Sequence, residues 1–286
     1  MTVRRFLQLD VFAPYAGAGN PLAVVLDAAD LDTARMQAFA AWSNLSETVF
    51  FLPPTAPEAD YRIRIFTLRM ELPFAGHPSV GAAWAALEAG LARGRDGGLV
   101  QECAAGLLPV RIARQDGRIV PTVRSPRAQR RETAAPDWLL APEVLGARRG
   151  ALPPALWNNG PDWWLLELAD AAAVRGLRPD LGAIAALPGQ GKLAVFAPGD
   201  GAADLVVRAF APGAGIAEDP ATGSVNASIA AALHQAGRLP GRDGRYRASQ
   251  GRELGRDAVL QLEVDGAGEV WVGGPVHAVI RGTVDW

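Results

Sequence analysis

Phe74-Ala75-Gly76-His77-Pro78-Ser79-Val80-Gly81-Ala82-Ala83 and Glu218-Asp219-Pro220-Ala221-Thr222-Gly223-Ser224-Val225-Asn226-Ala227 state one pattern twice, a Gly/Pro/Ser-rich turn running into an alanine-rich helix. Each follows a similar strand. Ala59-Asp60 opens a stretch ending Arg64-Ile65-Phe66, and Ala203-Asp204 opens one ending Arg208-Ala209-Phe210. Asp60 and Asp204 are 144 residues apart in a chain of 286, and aligning the two Ser-Val pairs sets Ser79 against Ser224 at a spacing of 145. A strand–turn–helix repeated at half the chain length predicts two similar lobes related by a pseudo-twofold. Such lobes can turn the two helix starts toward each other across a cleft, and helix N-termini attract anions.

Residues 6–12 alternate as a strand, 22–26 form a continuously apolar one, and 31–42 have helical spacing with Asp30 or Asp32 as N-cap. Strands follow at 48–52 and 61–66. The helix after His77 has Pro78 near its first position and Gly90 as a stop. Its alanines and Gly81 make it narrow, which suits a sheet wrapped closely around it. Strands recur at 99–103, 107–112 and 119–123. The polar stretch 125–136 has prolines near both ends and reads as the domain boundary, giving an N-terminal lobe 1–125 and a C-terminal lobe 126–286, with the last strand free to cross back. The second lobe has strands at 163–168, 193–196, 205–210, 258–264, 270–272 and 276–280, and a helix from 223 to about 236. Strands interrupted by single helices predict an α+β fold of two pseudo-symmetric lobes, each a mostly antiparallel or mixed sheet. A Rossmann fingerprint is absent, since Gly215 to Gly223 has the wrong spacing.

The formal net charge of −2 predicts no nucleic-acid footprint, and the three arginines within 127–131 read as a solvated connection. No apolar run approaches the roughly 20 residues of a membrane span, and no signal-peptide core follows Met1, so the reading is a soluble, cytoplasmic protein. Cys103 is the only cysteine. It excludes an intrachain disulfide, a multi-cysteine metal site, and racemisation by two facing thiols of this chain. In its strand it reads as a small packing residue.

Three residues could carry chemistry, and each also has a plain reading. Glu47, in Asn44-Leu45-Ser46-Glu47-Thr48, is either a surface acid at a helix-to-strand junction or a general acid/base raised in pKa by apolar surroundings. His77 either packs and caps, or steers a proton beside helix N–H groups able to hold a carboxylate. Asp219 is at or near a helix start, where capping alone accounts for it; Thr222-Gly223-Ser224 add hydroxyls and a glycine suited to a second polar contact. His234, on an apolar helix face, and His277, in a strand, read as structural.

Gly19-Asn20-Pro21-Leu22-Ala23-Val24-Val25, Asn44-Leu45-Ser46-Glu47-Thr48, Glu71-Leu72-Pro73-Phe74-Ala75-Gly76-His77-Pro78 and Glu218-Asp219-Pro220-Ala221-Thr222-Gly223-Ser224 resemble the phenazine-biosynthesis isomerase family, the PhzF-like proteins. Ser249-Gln250-Gly251, Gly255-Arg256 and Val272-Gly273-Gly274 fit its C-terminal pattern. The resemblance implies a fold similar to diaminopimelate epimerase, with a site between the lobes. It implies that Glu47 shuttles a proton, with His77, Asp219, Gly76 and Ser224 around the substrate; Ser46, Thr222 and Gly223 complete the expected binding set. It implies no metal, no organic cofactor and a homodimer. Ser79 stands where threonine is common and keeps the hydroxyl. Val225-Asn226 stand where a small residue is expected, and are bulkier side chains expected near the pocket. The function expected is a cofactor-independent isomerase of a small cyclic or amino-acid-like carboxylate; the alternatives are a small-molecule binder on the same fold and an epimerase or racemase.

Overall fold

The computed structural model describes residues 2–94, 98–140 and 147–286, which divide into two compact units, 1–124 with 273–286 and 125–272. The first unit opens with β1 (Val3–Val11), β2 (Asn20–Val25), α1 (Thr33–Ser43), β3 (Glu47–Leu52), β4 (Tyr61–Thr67), β5 (Glu71–Leu72), α2 (Gly76–Glu88), β6 (Gly98–Cys103), β7 (Gly106–Gln115) and β8 (Arg118–Arg124). The second holds β9 (Gln129–Arg130), α3 (Asp137–Leu140), β10 (Ala155–Asn158), β11 (Asp162–Glu167), α4 (Ala171–Gly176), α5 (Leu181–Ala185), β12 (Leu193–Pro198), β13 (Leu205–Ala211), β14 (Ile216–Asp219), α6 (Gly223–Gln235), β15 (Arg245–Gln250) and β16 (Ala258–Val264). At its end β17 (Val270–Gly273) leads back to the first unit, which β18 (Val276–Asp285) completes. The architecture is α+β. Among the described residues, no helix is long and apolar enough to cross a membrane.

In the first unit the strands pair in the order β18–β1–β2–β3–β4–β6–β7–β8, with β5 also beside β4. Only β2/β3 and β4/β6 are parallel. A parallel step needs a crossover, and α1 and α2 are the two crossovers. The second unit repeats this as β9–β10–β11–β12–β13–β15–β16, with β11/β12 and β13/β15 parallel. Here α4 with α5 makes the first crossover and α6 the second.

The two crossover helices α2 and α6 are each 13 residues long and mostly buried. In α2, every residue from His77 to Ala86 is buried, and the helix touches β1, β2, β3, β4, β6, β8 and β18. Such wrapping requires a thin helix. A Cβ on Gly81 would come within 2.5 Å of the Leu22 side chain and 3.0 Å of Val11. The first crossover helix of this unit, α1, buries one side only: Met36, Phe39 and Ala40 pack against Phe50 and Phe66. Asp32, not Asp30, caps it by accepting from Arg35 N–H at 2.8 Å.

Repeated contacts accompany the repeated topology. Asp60 accepts from Val100 N–H at 2.7 Å, and Asp204 accepts from Arg247 N–H at 2.7 Å. Arg64 forms a two-pronged pair with Glu71 and lies over Phe66; Arg208 does the same with Glu218 and Phe210. These equivalences settle the alignment past β4. Glu71 matches Glu218 and Gly76 matches Gly223, a spacing of 147. The Ser79–Ser224 match is therefore two residues out, because the second unit has a longer connection before its helix, including a helical turn at Pro212–Ala214. The true counterpart of Ser224 is His77.

Candidate active site

Glu47 is put in place by the end of α1. Asn44 stops that helix in the left-handed region (φ 56°), and the chain turns through Leu45 and Ser46 into β3, of which Glu47 is the first residue. The strand runs between β2 and β4, so Thr48 to Phe51 are buried and Glu47 is drawn down with them. Its side chain retains 18% exposure, but its Oε2 is buried and has no hydrogen-bond partner among the described residues. Burial raises the carboxyl pKa, partly offset by a hydrogen bond with the Ser46 side chain.

The first turn brings His77 to this oxygen. Helix α2 starts after Ala75, which has no side chain able to cap the opening N–H groups. His77, the second helical residue, is 7% exposed, and its Nε2 lies 3.5 Å from Glu47 Oε2. That is contact range for an ion pair and long for a hydrogen bond. Gly76 immediately precedes it. Beneath the turn, Tyr61 Oη–H donates to Gln101 Oε1, and Gln101 Nε2 donates to Ser79 Oγ.

The second turn is closed. Thr222, not Asp219, occupies the N-cap position of α6, and its hydroxyl donates to Asp219 Oδ2 at 2.6 Å. Gln250 uses its whole amide on this turn. Nε2 donates to Asp219 C=O and Thr222 Oγ1, while Oε1 accepts from Thr222 N–H and Asn226 Nδ2. Because both Gln250 protons are spent, the Thr222 proton must point at Asp219, which fixes that carboxylate oxygen as an acceptor. Next along α6, Gly223 is buried, and Ser224 Oγ accepts from Trp163 Nε1 at 3.1 Å while its carbonyl accepts from Asn159 Nδ2.

The structure thus joins Ser46, Glu47, Gly76 and His77 around one helix start, and Asp219, Thr222, Gly223 and Ser224 around the other. Val225 and Asn226 are fully buried inside the second unit. Asn226 holds the turn by donating to Thr222 C=O and to Gln250 Oε1. His234 is exposed in the last turn of α6 instead of facing apolar neighbours. Gln250 and Trp163 were not among the expected site residues. The alternation of Tyr246, Ala248 and Gln250 on one strand face was the available signal for Gln250.

A cavity of about 280 Å³ in the second unit is lined by Trp157, Leu165 and Phe196, with Arg130 and Glu167, and contains none of the expected site residues. Its carboxylate is committed: Glu167 forms a two-pronged pair with Arg238, which lowers its pKa against the opposing effect of burial. Among the described residues, no three His, Cys, Asp or Glu side chains converge as metal ligands would.

Residues 9–282 match the family described as "Phenazine biosynthesis-like protein". The chain belongs to that family. It is 36% identical over 268 residues to the trans-2,3-dihydro-3-hydroxyanthranilate isomerase of Pseudomonas aeruginosa, covering 93% of this chain and 92% of the relative. It is 34% identical over 293 residues to antisense-enhancing sequence 1 of Schizosaccharomyces pombe, covering 99% of each. A PhzF-family phenazine biosynthesis protein from Bacillus anthracis shares the fold at a TM-score of 0.83, with 22% identity and full coverage of both chains. This PhzF-like protein is an isomerase. Its site is accordingly to be read for the movement of an atom within one molecule.

Proposed function

We propose that this isomerase moves a proton on a small cyclic or amino-acid-like carboxylate by general acid/base catalysis, with Glu47 as the shuttle. One observation carries the reading: a buried glutamate oxygen, without a hydrogen bond among the described residues, 3.5 Å from an imidazole nitrogen. Burial makes the neutral carboxyl cheaper, so Glu47 can hold a proton that an exposed glutamate would release. A substrate C–H bond breaks, the proton goes to Glu47, and the electron pair stays in the substrate's conjugated system. The Glu47 O–H then breaks as a C–H bond forms at another carbon. Atoms and charge balance, so the step needs no cofactor.

His77 is assigned to steering this proton. Ser46 and Gly76 in the first unit, and Asp219, Thr222, Gly223 and Ser224 in the second, are assigned to holding substrate. The uncapped start of α2 and the fixed acceptor at Asp219 support those assignments. The P. aeruginosa relative's name makes trans-2,3-dihydro-3-hydroxyanthranilate the first compound to test.

The test is turnover in heavy water, followed by NMR and mass spectrometry for wild type and Glu47→Gln. Deuterium entering a new carbon with wild type alone supports the proposal. Deuterium returning to the same carbon would make the reaction an epimerisation. Undiminished turnover by Glu47→Gln would refute the role of Glu47.

A further inference from the structure

Lys192 is the only lysine among 286 residues; every other side chain counted with it as basic is an arginine. Its position in the repeat is informative. Thr48 of β3 pairs with Phe66, and Leu193 of β12 pairs with Phe210. Phe66 and Phe210 are equivalent, each lying under the arginine two residues before it. Thr48 and Leu193 are therefore equivalent, and so are the residues just before them, Glu47 and Lys192. Glu47 lies against His77, the second residue of α2. Lys192 lies on the face of Trp163, 5.4 Å from the ring centroid, and Trp163 N–H donates to Ser224, the second residue of α6. The second unit thus has a cation where the first has its proposed acid/base.

The segment leading to Lys192 is built with strain. Gly189, Gln190 and Gly191 are all left-handed, at φ 74°, 73° and 58°. Gln190 bears a side chain there at a cost of roughly 1 kcal/mol, and a Cβ on Gly191 would come within 2.5 Å of Ala185 O. Strain of this kind persists where surrounding structure holds it, commonly at working sites. The side chain that follows is half-buried and donates to Gln190 Oε1 at 2.9 Å. Among the described residues, no carboxylate is within ion-pair distance of its ammonium. Burial lowers its pKa, and the more distant charges of Asp162 and Asp219 oppose that shift. An indole face and an amide oxygen satisfy a cation only in part and leave donors for an anion.

We propose that Lys192 binds the carboxylate of the substrate beside Trp163 and Ser224. This rests on the reading of the second turn as a substrate-holding one. The single lysine makes the test unusually direct, because protein grown on [ε-13C]lysine gives one side-chain signal needing no assignment. Anthranilate and its neutral counterpart anthranilamide are the probes. The expected result is a saturable shift with anthranilate and little with the amide. Lys192→Met should weaken anthranilate binding at least tenfold by calorimetry and leave anthranilamide unchanged, while Lys192→Arg retains most of the affinity; thermal melts check that both variants fold. Equal anthranilate affinity in wild type and Lys192→Met, or no shift with anthranilate, overturns the proposal. The function proposed above fails separately, through Glu47→Gln retaining turnover whatever Lys192 binds.

Discussion

The two helix starts share a frame and differ in how their polar groups are paired. In both units an Asp grips the neighbouring strand, and an Arg–Glu pair over a Phe ties the strand to the turn. At the first start, Glu47 Oε2 lies near His77 without a hydrogen bond among the described residues. At the second, Gln250, Thr222, Asn226 and Asp219 form a closed network. A satisfied network resists rearrangement, whereas burial of an unpaired carboxyl oxygen favours its protonated form over the charged one. The repeat supplies two similar scaffolds, and the local pairing of polar groups is what differs between them.

The sharpest way to break this comparison is kinetic. Glu47→Gln should lower turnover by on the order of 10³-fold, the usual worth of a positioned acid/base, in the heavy-water assay. Next is the paired frame itself. Arg208 and Glu218 are 8% and 9% exposed, against 20% and 30% for Arg64 and Glu71. Arg208 also donates to the carbonyl of Leu177 at 2.7 Å. Arg208→Ala should therefore cost about 3–5 kcal/mol in urea unfolding, and Arg64→Ala only about 1 kcal/mol. Equal losses would mean that burial does not separate the two pairs.

The glutamines sharpen it further. Gln250→Leu leaves the Thr222 backbone N–H and one proton of the Asn226 amide without an acceptor and should cost about 2–3 kcal/mol, against about 1–2 kcal/mol for Gln101→Leu, which breaks two bonds. The smallest expected effect is on pH dependence. Because burial raises the Glu47 pKa in the folded state, its contribution to stability is fully present below the ordinary glutamate value, about 4.3. It is lost as pH rises through the folded value. Glu47→Gln carries no such loss, so its melting temperature should exceed that of wild type at neutral and alkaline pH, with the gap closing toward pH 4. A gap independent of pH would show that Glu47 ionises as freely in the fold as in water.

Most of the frame was legible in the sequence because the long strands and the two alanine-rich helices carry strong periodicity. What escaped was short or borrowed. The strands β9 and β14 have two and four residues and exist through pairing with β10 and β13. The helices α4 and α5 have six and five residues and are started by Asp170 and Asp180 caps. β15, with its Gln250, was missed although its buried face alternates. At the site, the identical Ser-Val pairs drew the alignment two residues off and hid the match of His77 with Ser224. The burial of Glu47 depends on β2 and β4 on either side of β3, information that no local window of sequence contains.

The chain passes between the two units twice, after Arg124 and after Val272. As a result, β9 follows β8 yet pairs with β10, and β18 follows β17 yet pairs with β1. During synthesis, β1 would therefore leave the ribosome with one edge open and wait for a partner that begins at Val276. Contacts of such sequence separation form slowly, and an open strand edge is a template for wrong pairing. Truncation before β18 should thus harm the first unit more than the loss of one surface strand suggests: the nascent sheet of that unit would remain exposed to aggregation until β18 arrives.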